Sequence, residues 1–242
     1  EQDISNKECN RVYEIQFWTR IKMDNIDSTF SCIFGTPVAC IKIKENTDIL
    51  QSCHKHIGDG KWNRTYDDLN QSTGWVYDGE GDMRILESYP QIKKVLLDAF
   101  LSFASEVMML KNANFDITTS WLTKMEKGDS SPLHLHANSF WSGVYYYGEE
   151  YEQASPIEFE HPLINHIKDY GFYIHPDGMN EYNTLKTGMY PHKNQLILFP
   201  SYLKHRICEQ KSVKTRYSLA FNIVPIGGYG YGDSQYNTEW FN

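Results

Sequence analysis

A chain of 242 residues with a net charge of −8 at neutral pH argues against a non-specific nucleic-acid binder, which needs a basic face to displace counterions. Its length suits one large β domain or two small ones, and hydrophobic residues at 40%, with aromatics at 14%, suffice for a sizeable core. No apolar run approaches the ~20 residues needed to span a bilayer. The five cysteines, Cys9, Cys32, Cys40, Cys53 and Cys208, are odd in number and show no Cys-x-x-Cys pair, which argues against a disulfide framework or a zinc knuckle. The start, Glu1-Gln2-Asp3, has neither an initiator Met nor a signal-type basic and apolar stretch. Cytoplasmic is the default expectation.

Residues 1–28 read as a polar N-terminal extension. Within it Arg11 to Trp18 alternates enough for a strand at an edge, and such an edge could pair with a second copy into a homodimer. From 29 to 44, Phe30, Ile33, Phe34, Val38, Ile41 and Ile43 surround the breakers Gly35 and Pro37 and predict two short strands. Asn46-Thr47-Asp48 can cap a short helix that reaches His56. His54 and His56, two apart on that helix, face different directions and make a poor metal pair. Residues 59–89 are rich in Asp, Asn, Gly and Ser and read as an ordered, loop-rich segment, with Trp75 as a packing anchor.

Pro90 then opens a helix to about Lys111, because Ile92, Val95, Leu96, Phe100, Phe103, Ala104, Val107 and Met108 recur at helical spacing. Beyond Asn112 the pattern turns to strands: Phe115 to Lys127, 139–147, 156–160, 170–175, 195–200 and 215–224. A helical first half before many short strands predicts a mainly β protein with helices (α+β), an antiparallel sandwich or barrel with the helices packed on one side. No repeat or linker divides residues 29–226, which are expected to form one domain. Residues 227–242 form a Gly- and Tyr-rich tail.

Chemistry concentrates at Pro132-Leu133-His134-Leu135-His136-Ala137-Asn138. On an extended segment His134 and His136 share a face, so their imidazoles can converge on one metal. A third histidine, His205, follows the apolar run Leu196 to Pro200. Three imidazoles suit Fe, Zn, Cu or Ni, and the donors alone do not choose among them. Trp121, Asn138, Trp141, Tyr145 and Tyr202 are candidates for the pocket wall. Asn138 is the strongest, being a polar side chain close to the histidines.

The run from Trp121 through His134-Leu135-His136, Ser142-Gly143-Val144-Tyr145-Tyr146, Leu198 to His205 and Arg216 to Asn222 resembles the Fe(II)/2-oxoglutarate oxygenases common in phage and marine bacterial genomes. Phe34-Gly35-Thr36-Pro37 and Ser72-Thr73-Gly74-Trp75 extend the likeness over roughly residues 30 to 225. The resemblance implies a double-stranded β-helix (jelly roll) that binds Fe(II) in its mouth. It implies 2-oxoglutarate and O₂ as co-substrates, and hydroxylation of an unactivated C–H on a small molecule or peptide. His134 and His205 match the family's metal histidines. His136 stands where the wider superfamily has Asp or Glu, so it is a third ligand or a neighbour of one. A halogenating relative would carry Gly or Ala there, which favours hydroxylation.

Arg216, 11 residues after His205, matches the superfamily's co-substrate anchor, and Ser218 follows on the same face. A guanidinium can hold the far carboxylate of 2-oxoglutarate bidentately. Two rival readings remain. Gly128, five residues, then His134-x-His136 also resembles the opening of a cupin motif, which gives Arg216 no role. A jelly-roll binding module would bind metal weakly and ignore 2-oxoglutarate.

Overall fold

In the computed structural model of the chain, residues 19–23, 26–30, 35–44, 51–55, 60–65, 74–77, 83–110, 113–149, 151–165, 167, 177–180 and 182–241 are described. The expected strands at 11–18 and 170–175, and the cap at Asn46-Thr47-Asp48, lie outside them. The chain divides into two compact units, Glu1–Thr36 and Pro37–Asn242. The first carries an antiparallel hairpin of β1 (Thr19–Met23) and β2 (Ile26–Phe30).

The second unit is built on a seven-stranded antiparallel sheet. Its order is β3 (Ala39–Lys42), β10 (Gln195–Pro200), β7 (Trp141–Tyr146), β12 (Arg216–Ile226), β6 (Asn114–Met125), β5 (Trp75–Tyr77) and β4 (Trp62–Arg64). A three-stranded sheet, β11 (His205–Ile207), β8 (Ile157–Glu160) and β9 (Lys186–Met189), faces it. A last hairpin joins β13 (Gly228–Tyr229) to β14 (Tyr236–Asn237), so the Gly- and Tyr-rich tail is folded there, with Tyr229 and Tyr236 rings 5.1 Å apart.

Alternation splits the large sheet into two faces. On β7 and β10, Val144, Tyr146, Ile197 and Phe199 point to the small sheet and pack with Ile157 and Phe159. Tyr145, Leu196 and Leu198 point the other way, with Leu219, Phe221 and Ile223 of β12. That outer face is covered by the helix Pro90–Glu106, which buries Ile92, Leu96, Phe100 and Ala104, one residue per turn. Phe103 and Phe100 set their rings 5.1 Å and 6.0 Å from that of Trp141. Helix on sheet on sheet is the arrangement that the sequence pattern predicts.

The helix stops five residues earlier than its apolar stripe suggests. The Leu110 N–H donates back to the Ala104 carbonyl at 2.9 Å, and Met109 takes a left-handed φ of 57° between them. This is the geometry of a glycine-type helix stop, here imposed on Met109 by its neighbours.

Strand β6 does not alternate throughout. Phe115, Ile117, Ser120 and Leu122 are buried on the helix side, so the parity changes between Ile117 and Ser120. The register against β12 slips between Phe221 and Ile223, and Thr118 and Thr119 together oppose Asn222. Such a bulge re-aims every residue after it. Trp121, Thr123 and Met125 are thereby turned to the inner face, where they line a cavity with Arg216, Ser218 and Ala220 of β12.

Gly143 of β7 stands directly opposite Phe221 of β12. A Cβ there would sit 2.2 Å from Phe221 Cζ, and Phe221 is fully buried. Gly143→Ala is therefore expected to destabilise the fold by about 1–3 kcal/mol through overpacking, read as a lower midpoint of chemical unfolding. An unchanged midpoint would mean that the Phe221 ring moves aside freely.

Candidate metal centre

The backbone brings the three histidines together. His134 and His205 form an isolated antiparallel bridge, in which His134 N–H donates to the His205 carbonyl at 2.9 Å and His205 N–H to the His134 carbonyl at 2.8 Å. His136 N–H donates to the Ser201 carbonyl at 3.0 Å. The segment 132–138 is thus clamped along the approach to and start of β11, with the two imidazoles of His134 and His136, two residues apart, on one side. One nitrogen from each of His134, His136 and His205 lies within 4.8 Å of the other two.

Each ring is also held in one tautomer. His134 Nδ1 is 2.8 Å from the Pro132 carbonyl and His205 Nδ1 is 2.9 Å from the Leu203 carbonyl. Carbonyl oxygen only accepts, so Nδ1 carries the proton and the Nε2 lone pair is left over. His136 Nδ1 meets Asn222 Oδ1 at 2.6 Å. The amide is oriented by its own Nδ2, which donates to Thr119 Oγ1 at 2.9 Å, and the buried Ser142 hydroxyl donates to Oδ1 at 3.0 Å. Ser142 in turn bonds Ser201 at 2.8 Å. Such outer hydrogen bonds orient a ligating imidazole and raise its basicity.

Burial keeps the His136 and His205 rings neutral, the form that binds metal. His205, only 4% exposed, is pushed down to about 3 by burial first, then by His134 and His136 beside it. His136 is lowered chiefly by burial, against the opposing hydrogen bond from Asn222. The unfolded chain binds a proton at His205 below pH 6.5 that the folded chain refuses until about pH 3. Stability of the metal-free protein should therefore fall as pH drops from 7 to 5. Urea unfolding midpoints measured at both pH values check this, and His205→Asn should flatten the dependence.

The cavity has a volume of about 380 Å³ and contains all three histidines, Arg216 and Ser218. Among the described residues that line it there is no Asp, Glu or Lys. Arg216 is 2% exposed. Its Nη2 donates to the Tyr146 hydroxyl at 2.9 Å, its Nη1 lies 3.7 Å from Met125 Sδ, and Cζ stacks 4.9 Å above the Tyr146 ring. Its Nε is buried without a partner, and no carboxylate of the described residues pairs with it. Ser218 Oγ, one pleat along, is 2.7 Å from Thr123 Oγ1.

The pocket-wall candidates divide. Trp121 lines the cavity, its ring 5.7 Å from that of His136. Trp141 and Tyr145 belong to the core under the helix, and Tyr202 is 59% exposed away from the cavity. Asn138, the strongest candidate for the pocket wall, is instead exposed in the turn after His136 with a left-handed φ of 58°. A short polar side chain tolerates that conformation, which accounts for an asparagine there. The amide at the site is that of Asn222, missed in the sequence because it lies 86 residues from His136.

Fold and site together define a jelly-roll protein in which three clustered imidazoles could hold a metal ion. Residues 119–222, which carry the histidines and Arg216, match the model of a family described as 2OG-Fe(II) oxygenase; the match takes in less than half of the chain. Solved structures with a TM-score above 0.5 share the fold. The α-ketoglutarate-dependent epimerase SnoN from nogalamycin biosynthesis is 9% identical with a TM-score of 0.57, over 81% of this chain and 82% of SnoN. HygX from Streptomyces hygroscopicus, solved with nickel and 2-oxoglutarate bound, is 10% identical with a TM-score of 0.53, over 78% of this chain and 83% of HygX. A 2OG-Fe(II) oxygenase family oxidoreductase from Burkholderia pseudomallei is 14% identical with a TM-score of 0.36; the match takes in 52% of this chain and spans 56% of the length of that protein. No curated protein sequence matches the chain.

Proposed function

We propose that this chain is an Fe(II)- and 2-oxoglutarate-dependent dioxygenase that hydroxylates an unactivated C–H of a small molecule or peptide. The observation that carries the reading is a buried guanidinium without a counter-ion among the described residues, on the same cavity as three clustered imidazoles. A buried charge is costly unless something pairs with it, so the site is complete only with an anion. A dicarboxylate that reaches from Arg216 to a metal at the histidines meets that need.

In this reading His134, His136 and His205 hold the iron through Nε2, and Arg216 takes the far carboxylate of 2-oxoglutarate in a two-pronged hydrogen bond. Ser218, beside Thr123, donates a further hydroxyl to the same carboxylate. Bound Fe(II) and 2-oxoglutarate supply the oxidising chemistry, in which O₂ is consumed and the co-substrate leaves as succinate and CO₂. The apolar walls Val144, Ile157, Phe199 and Ile207 keep water from the co-substrate. We place the enzyme in the cytoplasm, where the free thiols of Cys40, Cys53 and Cys208 are stable.

Anaerobic titration with Fe(II), with and without 2-oxoglutarate, tests the reading. A weak visible charge-transfer band should grow only when both are present, and admission of O₂ should release succinate. Iron binding without that band would favour the cupin-type alternative. No iron binding would leave a binding module.

A further inference from the structure

Beyond the histidines, the cavity wall changes character. Trp121 is turned inward by the β6 bulge and stands against His136. Met83 and Leu135 complete this side of the cavity, and they are 46% and 43% exposed. Two large apolar side chains at a cavity mouth, half in water, mark a surface that something apolar covers.

Met83 is held there against its own preference. Its φ is 57°, a conformation that an unbranched L-residue adopts only when its surroundings impose it. The Ser120 N–H donates to the Met83 carbonyl at 2.6 Å, and Arg84 forms a parallel bridge with Ser120. Ser120 Oγ then accepts from Leu86 N–H at 2.9 Å. The strained residue is therefore stapled to the position next to Trp121. Strain of this kind clusters at ligand clamps.

Charge narrows the ligand further. No acidic side chain of the described residues lines the cavity, so none of these residues offers a cationic group a partner. Arg216, the buried cation of the described residues, is taken by the co-substrate, so none of them offers an anionic group a partner either. A flat ring, by contrast, can lie on the Trp121 face and receive the Met83 thioether at its edge.

We infer that Trp121, Met83 and Leu135 form the specificity-determining wall of this enzyme and that it takes an uncharged aromatic group, whose C–H it presents to the metal. This rests on the oxygenase reading above. The test uses the full chain loaded with Co(II) and 2-oxoglutarate, and two probes of similar ring size, 4-methylphenol and benzylammonium. Paramagnetic relaxation of the 4-methylphenol ring protons should be enhanced at least tenfold over that of benzylammonium. Trp121→Ala should abolish the enhancement with Co(II) uptake intact, and Trp121→Phe should keep most of it. Equal relaxation of the two probes, or enhancement that survives Trp121→Ala, would overturn the inference alone. Failure to take up Co(II) would overturn the oxygenase reading and this inference with it.

Discussion

His205→Ala is expected to abolish Fe(II) binding at micromolar metal, and with it all succinate formation. Loss of an outer hydrogen-bond partner already costs a metal site about 10–100-fold in affinity, and removal of an imidazole takes the donor itself. His205 is the most buried of the three, with its ring oriented by the Leu203 carbonyl and its backbone paired to His134. The neighbouring position separates a ligand from a bystander. If His136 binds the metal, His136→Asp should preserve binding, because two histidines and a carboxylate are the usual set for oxygen-activating iron. His136→Ala should weaken it sharply, and Asn222→Ala should weaken it by about 10–100-fold through loss of orientation. Equilibrium Fe(II) titration of the four variants measures all of this. Wild-type affinity in His136→Ala would remove His136 from the metal.

Much of this site could be read from the sequence because it obeys a period of two. His134 and His136 share a face by that rule, and so do Arg216 and Ser218, all of which line one cavity. The helix from Pro90 was legible for the same reason with a different period. What could not be read depends on contacts distant in sequence. The bulge at Thr118-Thr119 breaks the alternation of β6, and only pairing with β12 reveals where the parity changes. Asn222 was hidden for the same reason. It sits at the end of an Arg-x-Ser-x-x-x-Asn run, but its partner, His136, comes from a different segment. Asn138 misled because a polar residue beside a metal motif has a second explanation, the left-handed turn that it occupies. The short strands β9 and β11 carry too few residues for a pattern and exist through pairing with β8. Met109 shows the converse, a helix stop with no glycine to announce it.

The second large effect concerns Arg216, where function and stability should move in opposite directions. Arg216→Met removes the charged anchor that the described residues place on the cavity, so the affinity for 2-oxoglutarate should fall by two to three orders of magnitude, on the basis of about 3–5 kcal/mol for one partner of a buried, hydrogen-bonded charge pair. Fe(II) binding should remain, because Arg216 touches none of the histidines. The metal-free protein gains from the same change, since an unpaired guanidinium leaves the interior. The gain is offset in the single variant, because the Tyr146 hydroxyl, fully buried, loses the Nη2 donor and an orphaned buried polar group costs about 1–3 kcal/mol. Tyr146→Phe in addition removes that orphan. The double variant Arg216→Met/Tyr146→Phe should therefore unfold at higher denaturant than wild type in the absence of 2-oxoglutarate. Saturating 2-oxoglutarate with metal should reverse the order, since only the wild type is stabilised by the ligand. Unfolding midpoints of the three proteins, with and without Fe(II) and 2-oxoglutarate under nitrogen, measure both arms. A double variant less stable than wild type in the bare state would mean that the guanidinium is neutralised by a partner other than the co-substrate, and the anion-anchor role would fall with it.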